Sequence, residues 1–245
     1  MNLLLEALAW LASPERLTGG HPLPQAFAEH LALTFGSVAI AALIAVPAGW
    51  LIGHTGRGRG IAVALAGAAR AVPSFGLILL LVLLVGVLHK VEAAVIAFVL
   101  LSIPSILAGA YAGFEAIDRR TVDAARATGM SEAQILWRVE ARLGLPLLVG
   151  GIRAAVLQVV ATATLAAWVN VGGLGFDILQ GIQLRRFDQV LGGAIAVAVL
   201  ALILDAAFAL LQRRAIPAGI LASTSRRPRR ASRTRRSTEK EALTT

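Results

Sequence analysis

Residues 115–146 read EAIDRRTVDAARATGMSEAQILWRVEARLGLP, and this stretch decides the fold. It is the only long polar interruption of an otherwise apolar chain before the C-terminal tail. Its first half, 119–128, is rich in Ala and Arg and predicts a helix. Gly129 follows where a helix turns left-handed, a conformation Gly adopts without penalty. Ser131 and Gln134 have the spacing of a capping box, which restarts a helix. The second helix carries Ile135, Leu136 and Val139 on one side, with Glu132, Arg138 and Arg142 mostly elsewhere. Gly144 and Pro146 predict its end. The expectation is a short helix–turn–helix between two hydrophobic segments. Its apolar stripe calls for a protein partner or the membrane surface.

Outside this stretch the chain is too apolar for a soluble domain. Hydrophobic residues make up 57% of it, and the mean hydropathy is +0.76. Runs of about 18 apolar residues or more fit membrane-spanning helices. They fall near 30–52, 61–88, 92–114, 145–169 and 189–211. Pro73 predicts a kink early in the second, and Pro104 interrupts the third. The expected fold is all-α: a polytopic helical membrane protein with about five transmembrane helices and a cytoplasmic helix–turn–helix. Residues 1–29 form an N-terminal extracytoplasmic or interfacial segment, 30–214 the transmembrane domain, and 215–245 a basic, disordered cytoplasmic tail. The opening apolar stretch, 2–12, is too short to span and has no basic residue ahead of it, unlike a cleaved leader.

Charge sets the orientation. With 115–146 inside, Arg57, Arg59, the arginines of that stretch, Arg213, Arg214 and the tail all lie inside. Arg16, Lys90, Arg185 and Arg186 fall outside. The net charge is +9, most of it in the tail. A tail of that kind suits anionic membrane lipid, and no nucleic acid is expected. There is no Cys, which excludes disulfides, iron–sulfur clusters and Cys-based zinc sites. His21, His30, His54 and His89 are scattered without ligand spacing, so no metal site and no catalytic constellation is expected.

Three charges, Arg70, Arg153 and Asp205, lie inside apolar runs, where charge is costly and needs a partner or water. At about 1.5 Å per residue, Arg153 and Asp205 sit at similar depths, roughly 10 Å from the inner ends of their spans. An Arg153–Asp205 ion pair is therefore expected, with Arg70 as the rival partner. Gln158 and Thr162 share one face of the fourth span at i, i+4 spacing. With Asn170 they are the candidate lining of a path. Gly172, Gly173 and Gly175 cannot continue a regular helix.

Asp123-Ala124-Ala125, then Gly129, then Leu145-Pro146 resembles the EAA…G…LP coupling loop of ABC importer permeases, with Asp in place of the first Glu. Residues 104–113 (PSILAGAYAG), 150–154 (GGIRA) and 172–175 (GGLG) resemble the osmoprotectant branch, which imports glycine betaine, choline or carnitine. Asn170, Val171 and Gly109 depart from that branch's usual Gly, Ala and Asn. The resemblance covers roughly residues 28–212. It implies an inner-membrane, multi-pass permease whose loop, including Asp123, Ala124, Ala125, Gly129, Ile135, Leu136, Val139 and Pro146, fits a separate ATPase subunit. That partner would bind ATP and Mg, because this sequence has no GxxxxGK[ST] phosphate loop and is not expected to be an enzyme. The resemblance also implies a second permease copy or paralogue, and an extracytoplasmic solute-binding protein near Gly172, Gly173 and Gly175. Residues 181–187 (GIQLRRF) bear a fainter resemblance to methionine permeases, so methionine or another small solute is the first alternative. A membrane scaffold with a protein- or nucleic-acid-binding tail is an alternative of a different class.

Overall fold

The computed structural model describes residues 2–216, except the side chains of residues 65 and 68–70. The expected basic tail and the side chain of Arg70 therefore lie outside the described residues. The chain forms α1 (Leu3–Leu11), α2 (Glu15–Thr18), α3 (Leu23–Thr55), α4 (Arg59–Ala71), α5 (Ser74–Val85), α6 (Lys90–Glu115), α7 (Arg119–Ala127), α8 (Glu132–Ile135), α9 (Ala141–Ala163), α10 (Gly175–Gln183) and α11 (Phe187–Arg214). A 3-10 turn, Val87–His89, leads into α6.

Four of these helical stretches are long and apolar enough to cross a membrane: Leu23–Thr55, Val87–Glu115, Glu132–Ala163 and Phe187–Arg214. The second expected span is two helices rather than one kinked helix. Pro73 has no amide proton and pushes Val72 to an extended conformation (ψ 124°), which separates α4 from α5. The 12 residues of α5 extend about 18 Å, short of a hydrocarbon core of about 30 Å.

Gly144 and Pro146 do not end a helix. Helix runs unbroken over Glu132–Ala163, and Pro146 sits inside α9. Packing overrides the glycine: Gly144 is buried against Gly113 of α6, where a Cβ would meet the Gly113 backbone at 3.0 Å. The discontinuity lies earlier, as a π turn over Leu136–Glu140, where the polar helix becomes the apolar one. The far end of the fourth span also stops short of its expected limit. α9 ends at Ala163, and a 3-10 turn, Leu165–Val169, leads to Asn170.

α6 is the centre of the bundle, with α3 and α9 packed on it. Phe98 and Ile106 of α6 are fully enclosed, as are Val156, Val159 and Val160 of α9. α6 and α9 cross where Gly109 meets Gly151: a Cβ on Gly109 would fall 2.8 Å from the Gly151 Cα. Without side chains there, the two backbones approach closely enough for dispersion contacts to hold them. At the N-terminus, α1 packs on α11, with Trp10 over Gly192 and Ala7 fully buried.

Candidate functional site: the inner helix–turn–helix and its ties

The turn between α7 and α8 is capped on both sides. Gly129 has φ +82°. Its N–H donates to the Arg126 carbonyl at 2.9 Å and that of Met130 to the Ala125 carbonyl at 3.2 Å, a Schellman closure of α7. Ser131 and Gln134 then form a capping box: the Ser131 N–H donates to Gln134 Oε1 at 3.0 Å, and the Gln134 N–H to Ser131 Oγ at 3.3 Å. Arg126 clasps the two helices. Its Nε and Nη2 donate to the two Glu132 carboxylate oxygens at 2.7 and 3.1 Å, and its Nη1 to Asp123 at 3.3 Å. Those bonds to Glu132, and the Asp123 charge, raise the Arg126 guanidinium further above its ordinary range. The result is a knob capped on both sides of its turn and bridged by Arg126.

Its exposed face differs from the one the sequence suggests. Asp123, Ala124 and Gly129 are exposed and Ala125 is half-buried. Ile135 is fully buried inside this chain, and Leu136 and Val139 are half-buried. The apolar stripe of the second helix is thus largely covered by the chain itself. Open to a partner are α7, the turn, and the Glu132–Gln134, Trp137 and Arg138 side of the second helix. Pro146 is half-buried in α9, away from that face.

Contacts distant in sequence bind the knob to the bundle. His54, near the end of α3, has Nδ1 2.5 Å from Glu140 Oε2 and Nε2 3.5 Å from Glu132 Oε2. Trp50 stacks on Phe114 with ring centroids 5.9 Å apart and meets Trp137 edge-on at 5.2 Å. Arg59 pairs with Glu115 at 2.5 Å. A cavity of about 450 Å³ beside these contacts is lined by His54, Arg59, Glu115, Asp123, Arg126 and Glu140.

Further along the bundle, Arg153 and Asp205 are brought together. Nε donates to Oδ1 at 2.6 Å and Nη2 to Oδ2 at 2.7 Å, a two-pronged bond between α9 and α11. Gln212 Nε2 adds a bond to the Pro146 carbonyl at 3.1 Å. Of the candidate path residues, Thr162 is buried and donates to the Gln158 carbonyl at 2.7 Å. Gln158 is half-buried, and Asn170 is exposed in a left-handed conformation, φ 55°.

At the opposite end from the knob, Gly172 and Gly173 have φ +91° and +76°, and Gly175 opens α10. The Gly173 N–H donates to Glu29 Oε2 at 2.9 Å. His21 Nε2 lies 3.3 Å from that oxygen. His30 Nε2 bonds the Val160 carbonyl at 3.1 Å, close to where α9 ends. Arg16 Nη2 donates to Asp177 Oδ2 at 2.6 Å, and the guanidinium lies 4.4 Å over the Trp10 ring. Burial raises the Asp177 carboxyl above its ordinary range, which Arg16 and His21 offset only in part.

Sequence reasoning does not single out His54, Glu140, Glu29, His30, Arg16 or Asp177 as site residues. Asp177, a lone acid two residues after a glycine turn, comes nearest to a local signal. Among the described residues no group of three or more His, Asp or Glu could hold a metal ion.

Fold and site together define a multi-pass helical membrane protein with a capped helix–turn–helix on one face. Residues 41–217 match the model of the binding-protein-dependent transport system inner membrane component family, and the chain belongs to that family. It is 30% identical over 192 residues to the choline transport system permease protein OpuBB of Bacillus subtilis (strain 168), covering 78% of this chain and 88% of that one. It is 30% identical to the carnitine transport permease protein OpuCB of Listeria monocytogenes, over 82% of this chain and 91% of that one. It is 34% identical to the osmoprotectant import permease protein OsmW of Salmonella typhimurium, over 78% and 91%. Among solved structures, an inward-facing form of the MetNI methionine ABC transporter superposes with TM-score 0.68 at 22% identity, covering 80% of this chain and 96% of that one. An amino acid ABC transporter solved with histidines gives 0.64 at 19%, over 86% and 98%. These two similarities bear on the fold.

Proposed function

We propose that this chain is the permease subunit of an ATP-driven importer for osmoprotectants such as glycine betaine, choline or carnitine. Two permease chains, identical or paralogous, flank the path. A separate ATPase subunit binds ATP and Mg and docks on Asp123, Ala124, Ala125 and Gly129. An extracytoplasmic binding protein delivers the solute at the end that carries Gly172, Gly173 and Gly175. Gln158, Thr162 and Asn170 line or border the route, and the Arg153–Asp205 pair ties α9 to α11.

The observation that carries this reading is the capped, clasped knob with α7 turned outward. Its supports are the family and the relatives, whose names refer to choline, carnitine and osmoprotectants. A knob of fixed shape transmits displacement, whereas a frayed loop absorbs it. No aromatic cage for a quaternary ammonium group is evident among the described residues, which favours solute selection by the binding protein.

The test is uptake of labelled glycine betaine and choline into proteoliposomes that hold this chain, its ATPase and its binding protein. ATP-dependent uptake is expected, and Gly129→Asp is expected to abolish it while leaving membrane insertion intact. The substitution places a side chain, with a charge, at a left-handed position on the exposed turn. A stable ATPase complex that moves neither solute would turn the assignment to methionine or another small solute.

A further inference from the structure

The knob is joined to α6 and α9 through the chain itself, because α7 follows α6 and α8 runs on into α9. It has no covalent path to α3, the first span, except through α4, α5 and the whole of α6. Yet α3 reaches it directly. His54, one residue from the end of α3, hydrogen-bonds through Nδ1 to Glu140 at 2.5 Å and has Nε2 3.5 Å from Glu132, both carboxylates lying beyond the turn. Glu140 is only 6% exposed, and a carboxylate so enclosed needs a partner to justify its loss of water. Glu140 closes the π turn over Leu136–Glu140, on which Trp137 meets Trp50 of α3. A π turn adds a residue to one helical repeat and so redirects side chains, a distortion concentrated at functional sites. From Glu132 the contacts continue to Arg126 and then to Asp123, on the exposed face of α7. An unbroken polar line thus runs from the end of the first span to the docking face.

We infer that His54 is a positioning residue for energy coupling. It holds the inner end of α3 to the second half of the helix–turn–helix and, through Glu132 and Arg126, to the first, so that displacement of the knob moves α3 together with α6 and α9. The inference rests on the docking role proposed above for α7.

The chain has no Cys, so Thr55→Cys and Ala127→Cys can carry a spin-label pair without removing native thiols. In the reconstituted complex with the ATPase subunit, the 55–127 distance is expected to stay constant on addition of ATP. In the His54→Ala background it is expected to lengthen by about 2 Å or more, the size of a helix shift at an interface. His54→Arg, which donates to two carboxylates and has the adjoining cavity to occupy, is expected to restore constancy; a merely space-filling role predicts no such rescue. Glu140→Leu keeps a similar volume, removes both acceptor oxygens and is expected to act as His54→Ala does, so it serves if His54→Ala fails to fold. Bound ATPase with a constant distance in His54→Ala or Glu140→Leu overturns this inference alone. Failure of the ATPase to associate with the wild-type chain overturns it together with the docking role.

Discussion

At the scale of single residues, buried charge is concentrated at the two ends of the bundle, and its consequences differ with its partners. Asp177 is 1% exposed and faces Arg16, yet burial outweighs the ion pair and raises its carboxyl. A raised acid binds its proton more tightly in the folded than in the unfolded state. Its stabilising contribution is therefore present below the unfolded value, about 3.9, and is lost as pH rises through the folded value. In the Asp177→Asn variant the amide oxygen would still accept a hydrogen bond from Arg16, but the side chain could not titrate. The melting temperature of the wild-type protein in detergent is expected to fall relative to Asp177→Asn as pH is raised from about 4 to 7. Parallel curves across that interval would show that Asp177 titrates alike in both states. Local sequence does not identify the pair, since Arg16 and Asp177 are 161 residues apart. The same holds for His54 and Glu140, 86 apart. Arg153 and Asp205 are legible for a different reason: helical rise converts sequence position into depth, and two opposite charges at one depth in an apolar layer have few other partners.

Among elements, the knob is the most legible part, because its signals are local: a left-handed Gly and a reciprocal cap within three residues of each other. The faces of its second helix are less so. Helical spacing groups Ile135, Leu136 and Val139 but does not say whether this chain or another covers them, and here this chain covers much of the stripe. The breakers Gly144 and Pro146 mislead because their cost, about 1 and 3 kcal/mol in an exposed helix, is set against tertiary packing in α9. Gly144 lies on Gly113, and Gly109 lies on Gly151. The crossing of α6 and α9 is thus built from paired glycines that composition alone would assign to turns. Gly109→Val is expected to force the two helices apart, because its Cβ would sit 2.7 Å from the Leu147 carbonyl oxygen and 2.8 Å from the Gly151 Cα, both backbone atoms. Overpacking of this kind costs about 1–3 kcal/mol or more. A thermal-shift measurement in detergent is expected to show a clear fall for Gly109→Val. Gly36→Val, which faces open space in α3, is expected to show little change. Equal falls at the two sites would mean that the glycine crossing does not set the cost, since Val has the better helix propensity at both.

At the scale of the whole molecule, the number of membrane crossings follows from contacts rather than from hydropathy. Only four helical stretches among the described residues qualify by length and composition, and α4 and α5 are separately too short. If the α4–α5 pair did not cross, the end of α3 and the start of α7 would lie on opposite sides of the bilayer, since only α6 would separate them. His54 bonds Glu140, and Arg59 pairs with Glu115, so those two regions share a side. α4 and α5 are therefore expected to cross together, which would give five crossings with α1 and α10 on the face opposite the knob. The distribution of Arg and Lys places the knob inside. Because the native chain has no Cys, single-Cys labelling with a membrane-impermeant maleimide needs no altered background. Arg57→Cys and Thr128→Cys are expected to react only in inverted vesicles. Lys90→Cys and Arg185→Cys are expected to react only in right-side-out cells. The Lys90 site discriminates most sharply: labelling from the same side as Arg57 would leave α4–α5 uncrossed, and it would be incompatible with the His54–Glu140 and Arg59–Glu115 contacts on which the inner face of this permease is built.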